Sequence, residues 1–179
     1  MGRKYPSDRS RRHLGTAGCA LCSRFAALAE MSPAAPHMIH ATSVAVGGQA
    51  VMMVGASGRG KSALALELMA RGAVLVADDR VILTKQDTEI HVTCPEPLRG
   101  LIEARGVGIL RAAHAETAIL ALTVDMDQTE TSRMPDARTT PFLGVHVPLL
   151  HNLESRHFPA AIIQYLKRAL PPHSKPTAS

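Results

Sequence analysis

Apolar and polar positions along this chain change period several times, and each change marks an element. Residues 50–54 (Ala50-Val51-Met52-Met53-Val54) form an unbroken apolar run, the pattern of a buried strand. Val44-Ala45-Val46 precedes that run across Gly47-Gly48, so the two read as a hairpin. From residue 62 to residue 71 the spacing becomes helical: Leu64, Ala65 and Leu68 share one face, and Glu67 stands four residues before Arg71. Gly72 follows as the stop. Val74-Leu75-Val76-Ala77 reads as the next strand, and Val81-Ile82-Leu83 with Ile90-His91-Val92-Thr93 as a second hairpin around a polar turn at 85–88. Pro95-Glu96-Pro97 breaks the chain. Residues 118–124 alternate weakly and read as a core strand, 125–141 as a long polar loop interrupted by Pro135 and Pro141, and 144–147 as a short strand. Pro159 opens a helix over 160–170, which Pro171-Pro172 ends. There are no internal repeats.

The strand at 50–54 and the helix from 62 enclose Gly55-Ala56-Ser57-Gly58-Arg59-Gly60-Lys61-Ser62, which fits the phosphate-loop pattern G-x-x-x-x-G-K-[ST] at every fixed position. The glycines let the backbone wrap a phosphate with its N–H groups, and the helix N-terminus adds partial positive charge. Lys61 would reach the outer phosphates and the Ser62 hydroxyl would ligate Mg²⁺. The strand at 74–77 ends in Asp78-Asp79, 17 and 18 residues beyond Lys61. One strand, one helix and one strand thus bring two carboxylates to the carboxyl edge of a sheet, where ligands bind in open α/β folds. Paired acids there can hold Mg²⁺ through water or accept a proton from a hydroxyl nucleophile. In the absence of the loop, Asp-Asp before Arg80 would read as a solvated turn.

Four blocks in this order resemble the catalytic domain of the bacterial HPr kinase/phosphorylase family. They are His40, 21 residues before the loop lysine; the phosphate loop; the stretch from Leu66 through Gly72 to Val76-Ala77-Asp78-Asp79-Arg80-Val81; and Ile102-Glu103-Ala104-Arg105-Gly106-Val107-Gly108-Ile109, close to the family's L-E-I-R-G-L-G-I signature. The likeness is good over residues 38–110 and looser over 110–170. It implies an α/β, P-loop-containing domain related to phosphoenolpyruvate carboxykinase, with a mixed sheet and flanking helices. It implies ATP and Mg²⁺ as cofactors, and as partner an HPr-type phosphocarrier protein of the phosphotransferase system. That carrier would be phosphorylated on serine and dephosphorylated with inorganic phosphate as acceptor. Carried over by residue, Lys61 and the loop from Gly55 to Ser62, including Ala56, Ser57, Gly58, Arg59 and Gly60, hold the nucleotide phosphates. Ser62 and Glu103 ligate Mg²⁺. Asp79 is the general base toward the acceptor serine, Asp78 supports it and His40 lines the same site. Arg105 can contact phosphate or fix Glu103 by a bidentate pair.

Some features depart from the family. Its full-length members carry a separate N-terminal domain of more than a hundred residues, whereas 39 residues precede His40 here, so the expectation is a short form. Arg133, in Thr131-Ser132-Arg133-Met134-Pro135, is the best candidate for the arginine of the family's acidic loop. Arg156 stands for the arginine of a later Pro- and Gly-rich loop, without the preceding glycine. The kinase direction is therefore better matched than phosphorolysis.

Charge and cysteines refine this picture. The net charge of +5 suggests nucleic acid until it is located: residues 1–37 hold six Lys/Arg and two acids, a net of +4. The basic character belongs to that leader, and no basic helix or aromatic-interleaved patch supports nucleic-acid binding. The leader (1–37) and the tail (171–179) are expected to be disordered, with 38–170 forming the catalytic domain. Cys19-Ala20-Leu21-Cys22 lacks the second pair that a structural zinc site needs, and Cys94 is the remaining cysteine. No apolar run is long enough to span a membrane. A cytoplasmic homo-oligomer with no membrane or nucleic-acid partner is expected. Two other readings compete. A small-molecule kinase of the shikimate-kinase type would require clustered arginines in a lid and pocket. A nonenzymatic nucleotide sensor would be expected to have lost Lys61, Ser62 or the acids.

Overall fold

A computed structural model describes residues 36–169; residues 1–35, which hold the C-x-x-C pair, and the tail lie outside the described residues, and His37, expected in the leader, opens the first strand. The elements are β1 (His37–Val46), β2 (Gln49–Val54), α1 (Lys61–Met69), β3 (Val74–Ala77), β4 (Arg80–Gln86), β5 (Glu89–Thr93), a 3-10 turn (Glu96–Leu98), β6 (Leu101–Ala104), β7 (Gly108–Arg111), β8 (Thr117–Thr129), β9 (Arg138–Phe142), β10 (Val145–Asn152) and α2 (Phe158–Ala169).

The main sheet has eight strands in the order β2-β1-β4-β5-β8-β10-β9, with β3 beside β1 and a further pairing of β2 with β8. Because β8 pairs with both β5 and β2, the path β2-β1-β4-β5-β8 returns on itself. β2 is apolar from Ala50 to Val54 because Ala50 to Met53 are buried on both faces of the strand. Val51 and Met53 point to a core shared with both helices, where Leu64, Ala65 and Leu68 of α1 meet Phe158, Ile162 and Leu166 of α2. Ala50 and Met52 point to a second core inside the curled sheet, among Val76, Val81, Leu83, Ile90 and Val92. Both helices therefore cover one face, and the sheet's own curl covers the other. The expected helical stripe on α1, its Glu67–Arg71 ion pair and the left-handed Gly72 (φ 95°) are all present.

The second half departs from the sequence expectation. β8 extends to Thr129 and β9 starts at Arg138, so the expected loop at 125–141 shrinks to residues 130–137. The strand expected over 144–147 is β10, which continues to Asn152. β8 alternates weakly because Ile119 and Ala121, half-buried between its buried even-numbered residues, are apolar too, and the strand also bulges. Ala50 faces Leu120 but Val51 faces Leu122, so one extra residue is inserted at Ala121. Ala118 and Leu120 consequently enter the inner core, while Leu122, Val124 and Met126, at the same parity, enter the helix-side core. The signature block around Glu103 folds as the separate hairpin β6-β7.

Topology decides where the chemistry collects. β2 and β3 both run antiparallel to β1, and β8 runs parallel to β2. The carboxyl ends of all three strands, at Val54, at Ala77 and beyond Asp125, therefore lie at one edge. β1 runs the other way, so its first residues lie at the same edge, with His40 opposite Arg80 and Ala41 opposite Val54.

Candidate active site

The phosphate loop joins β2 to α1 with Gly60 as the residue before the helix, at φ 88°. That left-handed conformation is natural for glycine and costly for a residue with a Cβ. Lys61 is 7% exposed, and its Nζ donates to the carbonyl oxygens of Gly55 (2.7 Å) and Ala56 (3.0 Å). The ammonium is thus stored on the loop itself.

Asp78 is the hub of the site. It is 7% exposed, and three donors converge on its two carboxylate oxygens. Thr42 Oγ1 (2.7 Å) and Ser62 Oγ (2.9 Å) donate to Oδ1, while the backbone N–H of Glu103 donates to Oδ2 (2.9 Å). One carboxylate thereby links β1, the phosphate loop and the β6-β7 hairpin. Asp79 has the opposite environment. It turns out at φ 67°, its side chain is 62% exposed, and its Oδ1 and its backbone oxygen each lie 3.0 Å from His40 Nδ1. A left-handed conformation is uncommon for a residue other than glycine, although aspartate tolerates it better than most. It reverses the chain so that two adjacent carboxylates face different surroundings.

This arrangement yields a stability prediction. Asp78→Asn would keep an acceptor for the two hydroxyls but set an NH₂ group against the Glu103 N–H, leaving a part-buried donor unpaired. We expect a loss of about 2 kcal/mol in a denaturant titration. An unchanged unfolding midpoint would mean that the hub contributes nothing to the fold.

A cleft of about 660 Å³ opens at this edge, lined among others by His40, Ser57, Gly58, Lys61, Ser62, Asp78, Asp79, Glu103 and Arg105. With Gly60, which also lines it, ten of the sequence-selected residues share one wall. Arg105 forms no ion pair with Glu103 among the described residues; its Nη2 instead stands 3.8 Å from where a Cβ on Gly58 would sit. Arg133 is exposed on the loop between β8 and β9 and does not line the cleft. The base of that loop is closed by Glu130, which accepts from the N–H groups of Thr131 and Ser132 and from Arg138. The Ser132 amide first, then Arg138, hold its carboxyl below the ordinary glutamate range. Behind the site, burial pushes the Cys94 thiol up; Arg99 opposes the rise and Asp78 adds to it.

Two contacts of the candidate site escaped the sequence reading. Thr42 lies in the half of β1 that was not expected to be a strand, and no motif marks it. Asp127 accepts from the Ala56 N–H and pairs with Arg59, yet its residue sits in what read as loop. The signal available for it was an acid at the end of an apolar run, as at Asp78.

A family model of the HPr serine kinase C-terminal domain matches residues 31–147, well over half of the chain. The chain belongs to the HPr serine kinase C-terminal domain family. Among similar proteins, the HPr kinase/phosphorylase of Verminephrobacter eiseniae is 42% identical over 123 residues, covering 61% of this chain and 39% of that protein. That of Caldicellulosiruptor bescii is 53% identical over 72 residues, 40% of this chain and 23% of its own. The chain thus spans well under half the length of these relatives. The solved structure of the Hpr(Ser) kinase/phosphatase from Coxiella burnetii superposes with a TM-score of 0.62 at 24% identity, over 74% of this chain and 95% of that one. The HPr kinase C-terminal fold, a mixed α/β architecture, is therefore shared. No helix among the described residues is long and apolar enough to cross a membrane.

Proposed function

We propose that this chain transfers a phosphoryl group from ATP to a serine hydroxyl of an HPr-type phosphocarrier protein. The observation that carries the reading is the division of labour at one edge. A buried aspartate is bonded to the phosphate-loop serine, and beside it an exposed aspartate faces the open cleft. Phosphoryl transfer needs positioning and charge neutralisation more than covalent chemistry. The loop amides and Lys61 hold the phosphates, Lys61 turning from its two carbonyls toward the outer phosphate. Asp79 orients the acceptor hydroxyl and takes its proton, and in reverse returns it. His40 keeps the Asp79 side chain in place.

The residues present fit Mg²⁺. Ser62 Oγ, Asp78 and Glu103 offer hard oxygen donors on one wall, and Mg²⁺ commonly takes only one or two carboxylates with phosphate oxygens and water completing its shell. When bound, the ion would neutralise phosphate charge. The reading carries a cytoplasmic setting and a homo-oligomer. Phosphorolysis draws less support, since Arg133 lies away from the cleft. A shikimate-type kinase is disfavoured because, among the described residues, the cleft wall holds a single arginine, Arg105.

The test is incubation with labelled ATP and a purified HPr-type carrier, followed by mapping of the label. One labelled serine, lost with Lys61→Ala, is expected. Nucleotide binding without carrier labelling would overturn the acceptor assignment.

The rim supplies a further prediction. Val107 and Ile109 are 76% and 73% exposed and line the cleft, an apolar pair suited to meet a protein acceptor beside its serine. Replacing both by serine should raise the KM for the carrier by about tenfold, with ATP affinity unchanged. A carrier KM equal to that of the unmodified chain removes the rim from the docking surface.

A further inference from the structure

We infer that Asp127 is a positioning residue of the phosphate loop, acting as a built-in anion that holds the loop's first turn through the Ala56 N–H and Arg59. β8 passes the phosphate loop in parallel with β2 and carries Asp127 beyond the last β2 pairing, at Asp125. There the Asp127 carboxylate accepts from the Ala56 N–H (3.0 Å to Oδ2, 3.2 Å to Oδ1) and from Arg59 Nε (2.9 Å to Oδ1). Its own N–H donates to Asp125 Oδ1 at 2.9 Å, which fixes the strand end from which it reaches.

The approach is close enough to explain the first glycine of the loop. A Cβ at Gly55, where φ is 137°, would stand 3.2 Å from Met126 Cβ and 3.3 Å from Asp127 Cγ and Oδ1. A side chain at Gly55 would be strained at this φ and would push Met126 and Asp127 back by a few tenths of an ångström, so glycine suits both the backbone and the approach of the carboxylate, and β8 forms part of the loop's mould.

Two consequences follow. The clasp fixes the loop before nucleotide arrives, so that the amides nearer α1 are already aimed when it binds; pre-organisation of this kind lowers the cost of binding. It also places a negative charge beside a site for polyphosphate, and Arg59 neutralises that charge. Arg59 and Asp127 are both absent from the cleft wall, so the Arg59 side chain serves the loop's shape while its backbone serves the phosphate.

This inference rests on the phosphate-loop part of the proposed function and not on the acceptor, so its test uses nucleotide alone. Amide exchange at Ala56 and the affinities for ADP and ATP are measured in the full chain and in Asp127→Ala, Asp127→Asn and Arg59→Ala. In Asp127→Ala we expect Ala56 exchange to speed at least tenfold and both nucleotides to bind about tenfold more weakly, the size of one charge-assisted hydrogen bond. Asp127→Asn keeps an acceptor for the amide and should preserve most of the Ala56 protection. Arg59→Ala should weaken nucleotide binding more at low salt than at high salt, because an uncompensated charge is screened by ions. Should Asp127→Ala fail to fold, the Ala56 protection in Asp127→Asn and the salt dependence in Arg59→Ala decide alone. Wild-type exchange and wild-type affinity in Asp127→Ala would overturn the inference, as would lost protection in Asp127→Asn or salt-independent binding in Arg59→Ala. Failure of the unmodified chain to bind either nucleotide would instead overturn the phosphate-loop reading, and Ala56 exchange would still report on the clasp.

Discussion

Asp79→Asn is expected to slow transfer to a serine hydroxyl by about two to four orders of magnitude, the range for loss of a positioned general base. The amide has nearly the shape of the carboxylate but cannot take the serine proton. The substitution is also gentle on the backbone. Asp79 sits at φ 67°, and asparagine is among the residues that tolerate the left-handed region best. Alanine there would add strain to the chemical loss. Nucleotide affinity should hardly change, since among the described residues Asp79 pairs with His40 and Arg80 and not with the phosphate loop. The measurement is single-turnover phosphorylation of the carrier alongside ATP affinity. Full turnover in Asp79→Asn, or an affinity that falls as steeply as the rate, would remove the base from Asp79.

Lys61→Ala should reduce transfer by about two to three orders of magnitude, as for loss of one preorganised donor aimed at developing charge. Lys61 is the loop cation that lines the cleft, and its Nζ already lies among the loop carbonyls of Gly55 and Ala56. Its removal frees those carbonyls and empties a buried stem, so a share of the effect is structural. Lys61→Met keeps the stem and removes only the charge. If both variants lose transfer while the methionine variant retains the melting temperature, the charge is responsible. Wild-type turnover with labelled ATP in either variant would rule out the phosphate-loop reading.

Local pattern determined the first half of this protein. The apolar run of β2, the glycines and Lys61-Ser62 of the loop, the stripe on α1 and the stop at Gly72 are each set within a dozen residues, and the structure keeps them all. The acids at 78 and 79 were legible for the same reason, since a strand's end fixes the edge to which it delivers them. What separates those two acids was not legible. They are neighbours in sequence, and only the backbone reversal at Asp79, with Thr42, Ser62 and the Glu103 amide brought in from three other elements, makes one a buried hub and the other an exposed carboxylate. The second half shows the same division. A one-residue bulge at Ala121 moves β8 from one core to the other with no change of parity in the sequence, and its pairing with β10 turned an apparent loop into strand. Pairings over such separations leave no period in a local window. Periodicity records which face a residue presents, and only the closed sheet decides what that face meets, which is how Asp127 came to lie on the phosphate loop.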